Sequence, residues 1–108
     1  MDDQPTISTH VLDAATGRPA PGVVVTLIYL PDDPDDVSEP TGGTTDDDGR
    51  IRSLTNGPLH AGNYLIVFRV EGPFFREVSM EFVVEDVTRS YHVPLLLAPY
   101  SLTSYRGS

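Results

Sequence analysis

Three histidines and seven arginines are the side chains of this 108-residue chain that can move a proton near neutral pH or grip an anion. Lysine and cysteine are both absent, so a Schiff base, a phosphate-loop lysine and a thiolate nucleophile have no residue to carry them. No Gly-x-Ser-x-Gly elbow is present for a serine nucleophile. Proton transfer would therefore fall to His10, His60 or His92, and an imidazole is well suited to it because its pKa lies near the working pH. His60 lies in a turn-rich loop and reads as structural. His10 and His92 each sit in an apolar, strand-like segment with polar neighbours.

Two other chemistries are tested by spacing and fail. The run Asp46-Asp47-Asp48-Gly49 invites comparison with a calcium loop, but Thr44 occupies the first ligand position, no Glu follows at the required distance and no helices flank it. It reads as a solvated turn in which Gly49 supplies an unusual backbone angle. The three histidines have no local ligand spacing, so no metal is expected. A non-covalent mechanism without a cofactor is the natural form for the remaining residues.

The elements that must position these side chains are short. Nine Gly and ten Pro cut the chain into segments rich in β-branched and aromatic residues, the punctuation of an all-β domain. In Thr6 to Leu12, period two puts Ile7, Thr9 and Val11 on one face and Ser8, His10 and Leu12 on the other. Val23 to Leu30 is apolar on both faces and is expected inside a sheet or at an interface. A short strand is expected near Gly43 to Thr45, and Arg50 to Leu54 resumes strand character. Asn63 to Val70 and Arg76 to Val84 form a hairpin pair across Glu71-Gly72-Pro73, with Val78, Met80, Phe82 and Val84 sharing a face. Ser90 to Ala98 reads as one strand, in which Pro94, lacking an N–H, marks an edge or a bulge. Ser101 to Tyr105 adds a last one. About seven strands at this spacing predict a two-sheet sandwich, one domain over 1–108.

Composition narrows the partners. Sixteen acidic against seven basic residues give a formal net charge of −9, which disfavours nucleic acid and anionic membranes. The first residues carry no apolar stretch, and the longest apolar run, 23–30, is too short for a membrane-spanning helix. With no cysteine, the expectation is a cytoplasmic protein. After the last strand comes Tyr105-Arg106-Gly107-Ser108, where an Arg beside a carboxylate can form a charged, hydrogen-bonding cluster.

The segments Ser8-Thr9-His10-Val11-Leu12-Asp13, Thr16-Gly17-Arg18-Pro19-Ala20, Thr45-Asp46-Asp47-Asp48-Gly49-Arg50, Tyr91-His92-Val93-Pro94-Leu95-Leu96-Leu97 and Tyr105-Arg106-Gly107-Ser108 closely resemble the 5-hydroxyisourate hydrolases, the transthyretin-related enzyme family. The first three alone also look like the broader class of transthyretin-like and carboxypeptidase-regulatory sandwiches. His10, His92 and the final tetrapeptide supply the specificity. The resemblance implies a transthyretin-like (prealbumin-like) β-sandwich and cofactorless opening of the 5-hydroxyisourate ring. It also implies a homotetramer, a dimer of dimers, with active sites along a central channel. By position, it implies His10, Arg50 and His92 as catalytic residues, and His10, Arg50, Tyr105, Arg106 and Ser108 against the substrate. Two departures stand out. Only Val70-Glu71-Gly72-Pro73 remains where the family has a short helix, so a tight hairpin is expected there. Phe74-Phe75-Arg76-Glu77 carries Arg in place of the family's Pro. The competing readings are a non-catalytic small-ligand carrier of the transthyretin kind and a regulatory sandwich belonging to something larger.

Overall fold

The structure is a computed structural model that describes residues 4–36 and 38–107. Its strands are β1 (Ile7–Asp13), β2 (Arg18–Pro19), β3 (Val24–Leu30), β4 (Thr41–Thr44), β5 (Arg50–Ile51), β6 (Gly62–Arg69), β7 (Glu77–Val84), β8 (Tyr91–His92), β9 (Leu95–Ala98) and β10 (Ser101–Ser104). They form two sheets, and no helix occurs among the described residues. One sheet runs β4-β3-β6-β7; the other runs β10-β9-β1-β2, with β5 and β8 also paired to β1.

Alternation decides which face of each strand is buried. Ile7, Thr9 and Val11 of β1 are fully or almost fully buried, as are Val25 and Leu27 of β3 and Tyr64, Ile66 and Phe68 of β6. Their side chains meet between the sheets, with Val78, Val84, Leu95 and the loop residues Leu54 and Leu59 completing the core. Removing this much apolar surface from water at roughly 25 cal/mol per Å2 is the main term holding the sandwich together. The long apolar strand β3 lies between β4 and β6, the interior position its two-faced hydrophobicity predicts.

Between β6 and β7 the chain turns tightly. The N–H groups of Val70 and Glu71 both donate to the Arg76 carbonyl, at 3.2 and 3.1 Å, and Gly72 N–H donates to the Phe75 carbonyl at 2.9 Å. Arg76 closes the turn by donating from its guanidinium to the Gly72 carbonyl at 3.0 Å. The arginine that stands where the resemblance expects proline thus has a local role, because the proline ring could not reach these carbonyls.

The sequence reading needs refinement in three places. Arg18–Pro19, read as turn, pairs with β1. Strand character after Arg50 stops at Ile51. Ser90 to Ala98 divides into β8 and β9 around Val93-Pro94, yet Pro94 lies neither at an edge nor in a bulge. The register Ser8↔His92 and Val11↔Leu95 keeps the same offset on both sides of it, so no residue is inserted; Tyr91 and Val93 donate to β1, so the prolyl nitrogen faces away from β1 and costs that ladder no bond.

Candidate active site

Strand β1 carries the centre of the site. Because Ile7, Thr9 and Val11 point into the core, Ser8, His10 and Leu12 must point out of the sheet, and all three are half-buried. Residues directly opposite one another in a ladder share a face. His10 is opposite Arg50 of β5 and Ser8 is opposite His92 of β8. Continuing the β1–β5 count places Arg52 opposite Ser8. Two histidines and two arginines therefore sit around β1 on one sheet face, over two shallow cavities. One, of about 300 Å3, is lined by Ser8, Arg50, Arg52 and His92 among others. The second, of about 380 Å3, is lined by His10, Asp48, Arg50 and Arg52 among others.

The Asp46-Asp47-Asp48-Gly49 turn fixes His10 and Arg50 at once. Asp46 Oδ1 accepts from the N–H groups of Asp48 and Arg50, at 2.9 and 3.0 Å. These bonds, with Arg50 first, hold the Asp46 carboxyl below its usual range. Gly49 adopts φ 75°, and its carbonyl accepts from Val11 N–H at 2.7 Å. A side chain at Gly49 would run into the Val11 carbonyl, so only glycine lets the turn lie this close to β1. The turn in turn brings the Asp48 carbonyl to 2.9 Å from His10 Nε2. A carbonyl oxygen can only accept, which places a proton on Nε2 and makes Nδ1 the bare nitrogen of neutral His10.

His92 is held on two sides. Its Nδ1 lies 2.9 Å from the Ser8 hydroxyl. Its backbone carbonyl accepts from Gly107 N–H at 2.8 Å, within an isolated antiparallel bridge that continues the register set by Leu95↔Ser104. The tail thus runs on alongside β8, and a Cβ on Gly107 would come within 2.5 Å of His92 Cδ2. Gly107→Ala is accordingly expected to displace the ring and lower kcat about 10- to 100-fold while leaving the unfolding midpoint nearly unchanged. Full activity in that variant would remove Gly107 from the account.

Burial first, and then the nearby charges of His10 and Arg50, hold the pKa of His92 below the ordinary 6.5. The ring is neutral at physiological pH. Since the unfolded chain binds this proton more readily, His92 contributes stability above the unfolded pKa, which is lost as pH falls through the folded one. Among the described residues the ion pairs are Arg69 with Glu71 and Arg69 with Glu77, so no carboxylate there clamps Arg50 or Arg52. Among the same residues, no group of three His, Asp or Glu is placed to hold a metal ion.

Tyr105 and Arg106 lie apart from this face. The Arg106 guanidinium sits 5.1 Å from the centre of the Tyr91 ring, and Tyr91 is a core residue. Both tail residues line a third cavity, of about 620 Å3, with Met80, Phe82 and Val93. His92 borders this cavity as well, and with Tyr91 it is shared by the two compartments. Ser108 lies outside the described residues. His60 is structural, as expected: its ring packs 5.4 Å from that of Tyr29 and its N–H donates to the Tyr64 hydroxyl. Ser8, Arg52 and Gly107 are the additions that sequence reasoning missed. Period two already put Ser8 beside His10, whereas the other two needed the pairing register.

A two-sheet sandwich of this topology, bearing a His, Arg and Ser cluster on the outer face of one sheet, defines a transthyretin-like β-sandwich with a polar site. A profile described as the HIUase/Transthyretin family matches residues 7–107. The 5-hydroxyisourate hydrolase of Salmonella dublin is 39% identical over 111 residues, spanning 94% of this chain and 80% of that protein. The solved 5-hydroxyisourate hydrolase of Klebsiella pneumoniae superposes with a TM-score of 0.80 at 33% identity, covering 95% of this chain and 99% of its own. Sea bream transthyretin, solved in complex with thyroxine, gives a TM-score of 0.79 at 27% identity, covering 94% and 93%. The chain belongs to the HIUase/Transthyretin family.

Proposed function

We propose that the protein hydrolyses 5-hydroxyisourate in urate degradation, opening the six-membered ring to 2-oxo-4-hydroxy-4-carboxy-5-ureidoimidazoline without a cofactor. The observation that carries this reading is the meeting of His10, Arg50 and His92 on one face around β1. His92 is the better base. Its lowered pKa keeps it neutral, and its Nδ1 is taken by Ser8, which leaves Nε2 for water. Water attacks the ring carbonyl carbon as His92 Nε2 takes its proton, and the new C–O bond puts negative charge on the carbonyl oxygen. Arg50 grips the planar ring through parallel hydrogen bonds and offsets that charge. The amide C–N bond then breaks, the ring nitrogen takes the proton back from His92, and the new carboxyl group releases water's second proton to solvent to become the carboxylate. His10, with its Nε2 proton committed to the Asp48 carbonyl, orients the ring.

The site lies on an open sheet face, and a second copy facing it would turn that face into a channel and exclude water. This supports a homotetramer built as a dimer of dimers, with Tyr105 and Arg106 walling the side of His92 away from His10 and Ser108 as a further substrate contact by the resemblance alone. A cytoplasmic location goes with the reading. Among the described residues no helix is long and apolar enough to cross a membrane.

The test is decay of freshly generated 5-hydroxyisourate followed by absorbance, which the protein is expected to accelerate; an unchanged rate overturns the assignment. The likeness to a thyroxine-bound transthyretin supplies the rival, a carrier of a small aromatic ligand, which predicts tight binding with no turnover. Acidity gives a further check. If neutral His92 is the base, kcat/KM, which follows the groups of the free protein, is expected to persist below pH 6.5 and to fall only as the lowered pKa is crossed. An acid limb centred above pH 6.5 would contradict His92 in that role.

A further inference from the structure

The ring of His92 is clamped between two groups: Gly107 lies against its carbon edge and Ser8 faces its Nδ1 at 2.9 Å. The backbone fixes that second contact. Ser8 and His92 are directly opposed in a parallel pair, and flanking bonds from Tyr91 N–H to the Thr6 carbonyl, 2.8 Å, and from Val93 N–H to the Ser8 carbonyl, 2.9 Å, pin the two residues together. Below them, the Thr9 hydroxyl donates to the Val93 carbonyl at 2.6 Å. That bond adds a side-chain tie between β1 and the chain next to His92. The Ser8 hydroxyl is therefore presented to Nδ1 by a rigid sheet rather than by a loop.

We propose that Ser8 is a positioning residue: its hydroxyl accepts the Nδ1 proton of His92 and holds the neutral ring as the tautomer whose Nε2 carries the lone pair. The inference deepens the hydrolase reading and rests on it for its kinetic consequence. A hydroxyl can accept or donate, so the direction of the bond follows from the proton transfer. A base that takes a proton at Nε2 must begin with its proton on Nδ1. Once Nε2 is protonated, both ring nitrogens are donors, and an accepting Ser8 keeps its bond through the whole cycle. A donating Ser8 would have to break and reverse its bond in every turnover. The serine has a second advantage over a carboxylate in this position: it fixes ring and tautomer without adding the negative charge that would raise the ring's pKa. His92 thus stays neutral near pH 7 and correctly oriented, which are separate requirements that one uncharged hydroxyl meets together.

The test compares Ser8→Ala with Ser8→Thr in the full chain, by steady-state kinetics and by nitrogen-15 NMR of the His92 ring. Ser8→Ala is expected to lower kcat about 10- to 100-fold, the range for losing the group that orients a functional imidazole, with KM changed less than threefold. The ring signals should move from the Nδ1–H pattern toward a mixture of tautomers. Ser8→Thr, which keeps the hydroxyl on a β-branched residue suited to a strand, should restore both the rate and the Nδ1–H signature. An Nε2–H pattern in the unmodified protein, or a Ser8→Ala ring that keeps the Nδ1–H pattern, overturns the proposal. So does a Ser8→Thr variant as slow as Ser8→Ala. The NMR readout needs no turnover: a tautomer shift in a protein that fails to hydrolyse 5-hydroxyisourate would retain Ser8 as the positioning group and discard the substrate.

Discussion

His92→Ala is expected to lower kcat for 5-hydroxyisourate by about 10^2- to 10^4-fold, the usual span for removing a positioned general base, and His10→Ala to cost a comparable factor. The two losses have different signatures. Without His92 the nitrogen placed to take the proton from water is gone, so the residual rate should lose the acid limb that His92 sets. Without His10 the base remains but one of the charges that lower its pKa is gone, so a residual acid limb should move to higher pH. Both side chains are half-buried on the outside of the sheet and neither belongs to the core, so circular dichroism and thermal unfolding should change little. Near-full activity in both folded variants would sink the catalytic assignment and leave the carrier reading in possession.

Arg50→Ala is expected to cost about 10^2- to 10^3-fold, the range for deleting one preorganised donor to a developing oxyanion. Arg50→Lys should recover little of it, because an ammonium offers a point charge where the planar substrate needs two parallel donors. The variant isolates function well. Arg50 is exposed, and its position is set by its own backbone N–H bonded to Asp46 and by pairing with His10, both of which survive truncation of the side chain. It also permits a measurement independent of turnover. Arg50 is among the charges that hold the pKa of His92 down, after burial and His10, so an NMR titration of Arg50→Ala should show that pKa moving up. An unchanged His92 titration together with an unchanged rate would remove Arg50 from the site.

Much of this arrangement is legible in the residues alone. Alternation in β1 separates the core side chains from Ser8 and His10 without any tertiary information, and the Gly and Pro clusters mark the turns between long strands. Short strands are harder: Arg18–Pro19 and Arg50–Ile51 have too few residues to show a period, and they exist because β1 offers them an edge. Proline's missing donor singles out Pro94, but whether that costs the ladder a bond depends on which way its nitrogen faces, and the pairing with β1 settles that. The tail was the least legible segment. Its motif marked it as functional, yet only the continued register that sets Gly107 against His92 shows which residue touches the His92 ring and that Arg106 lies over Tyr91 instead.

The parallel pairing of β1 with β8 has a consequence for how the site comes into being. Ser8 and His92 are separated by 84 positions, so their contact closes a loop containing most of the chain, and such non-local pairings are slow to form. During synthesis the first half of the site must wait, with β1 lacking its parallel partner, until the last quarter of the chain has emerged. The site therefore cannot form early or locally: it exists only when the whole sheet does. A ligand that binds it should accordingly stabilise the protein against global unfolding rather than quieten one loop.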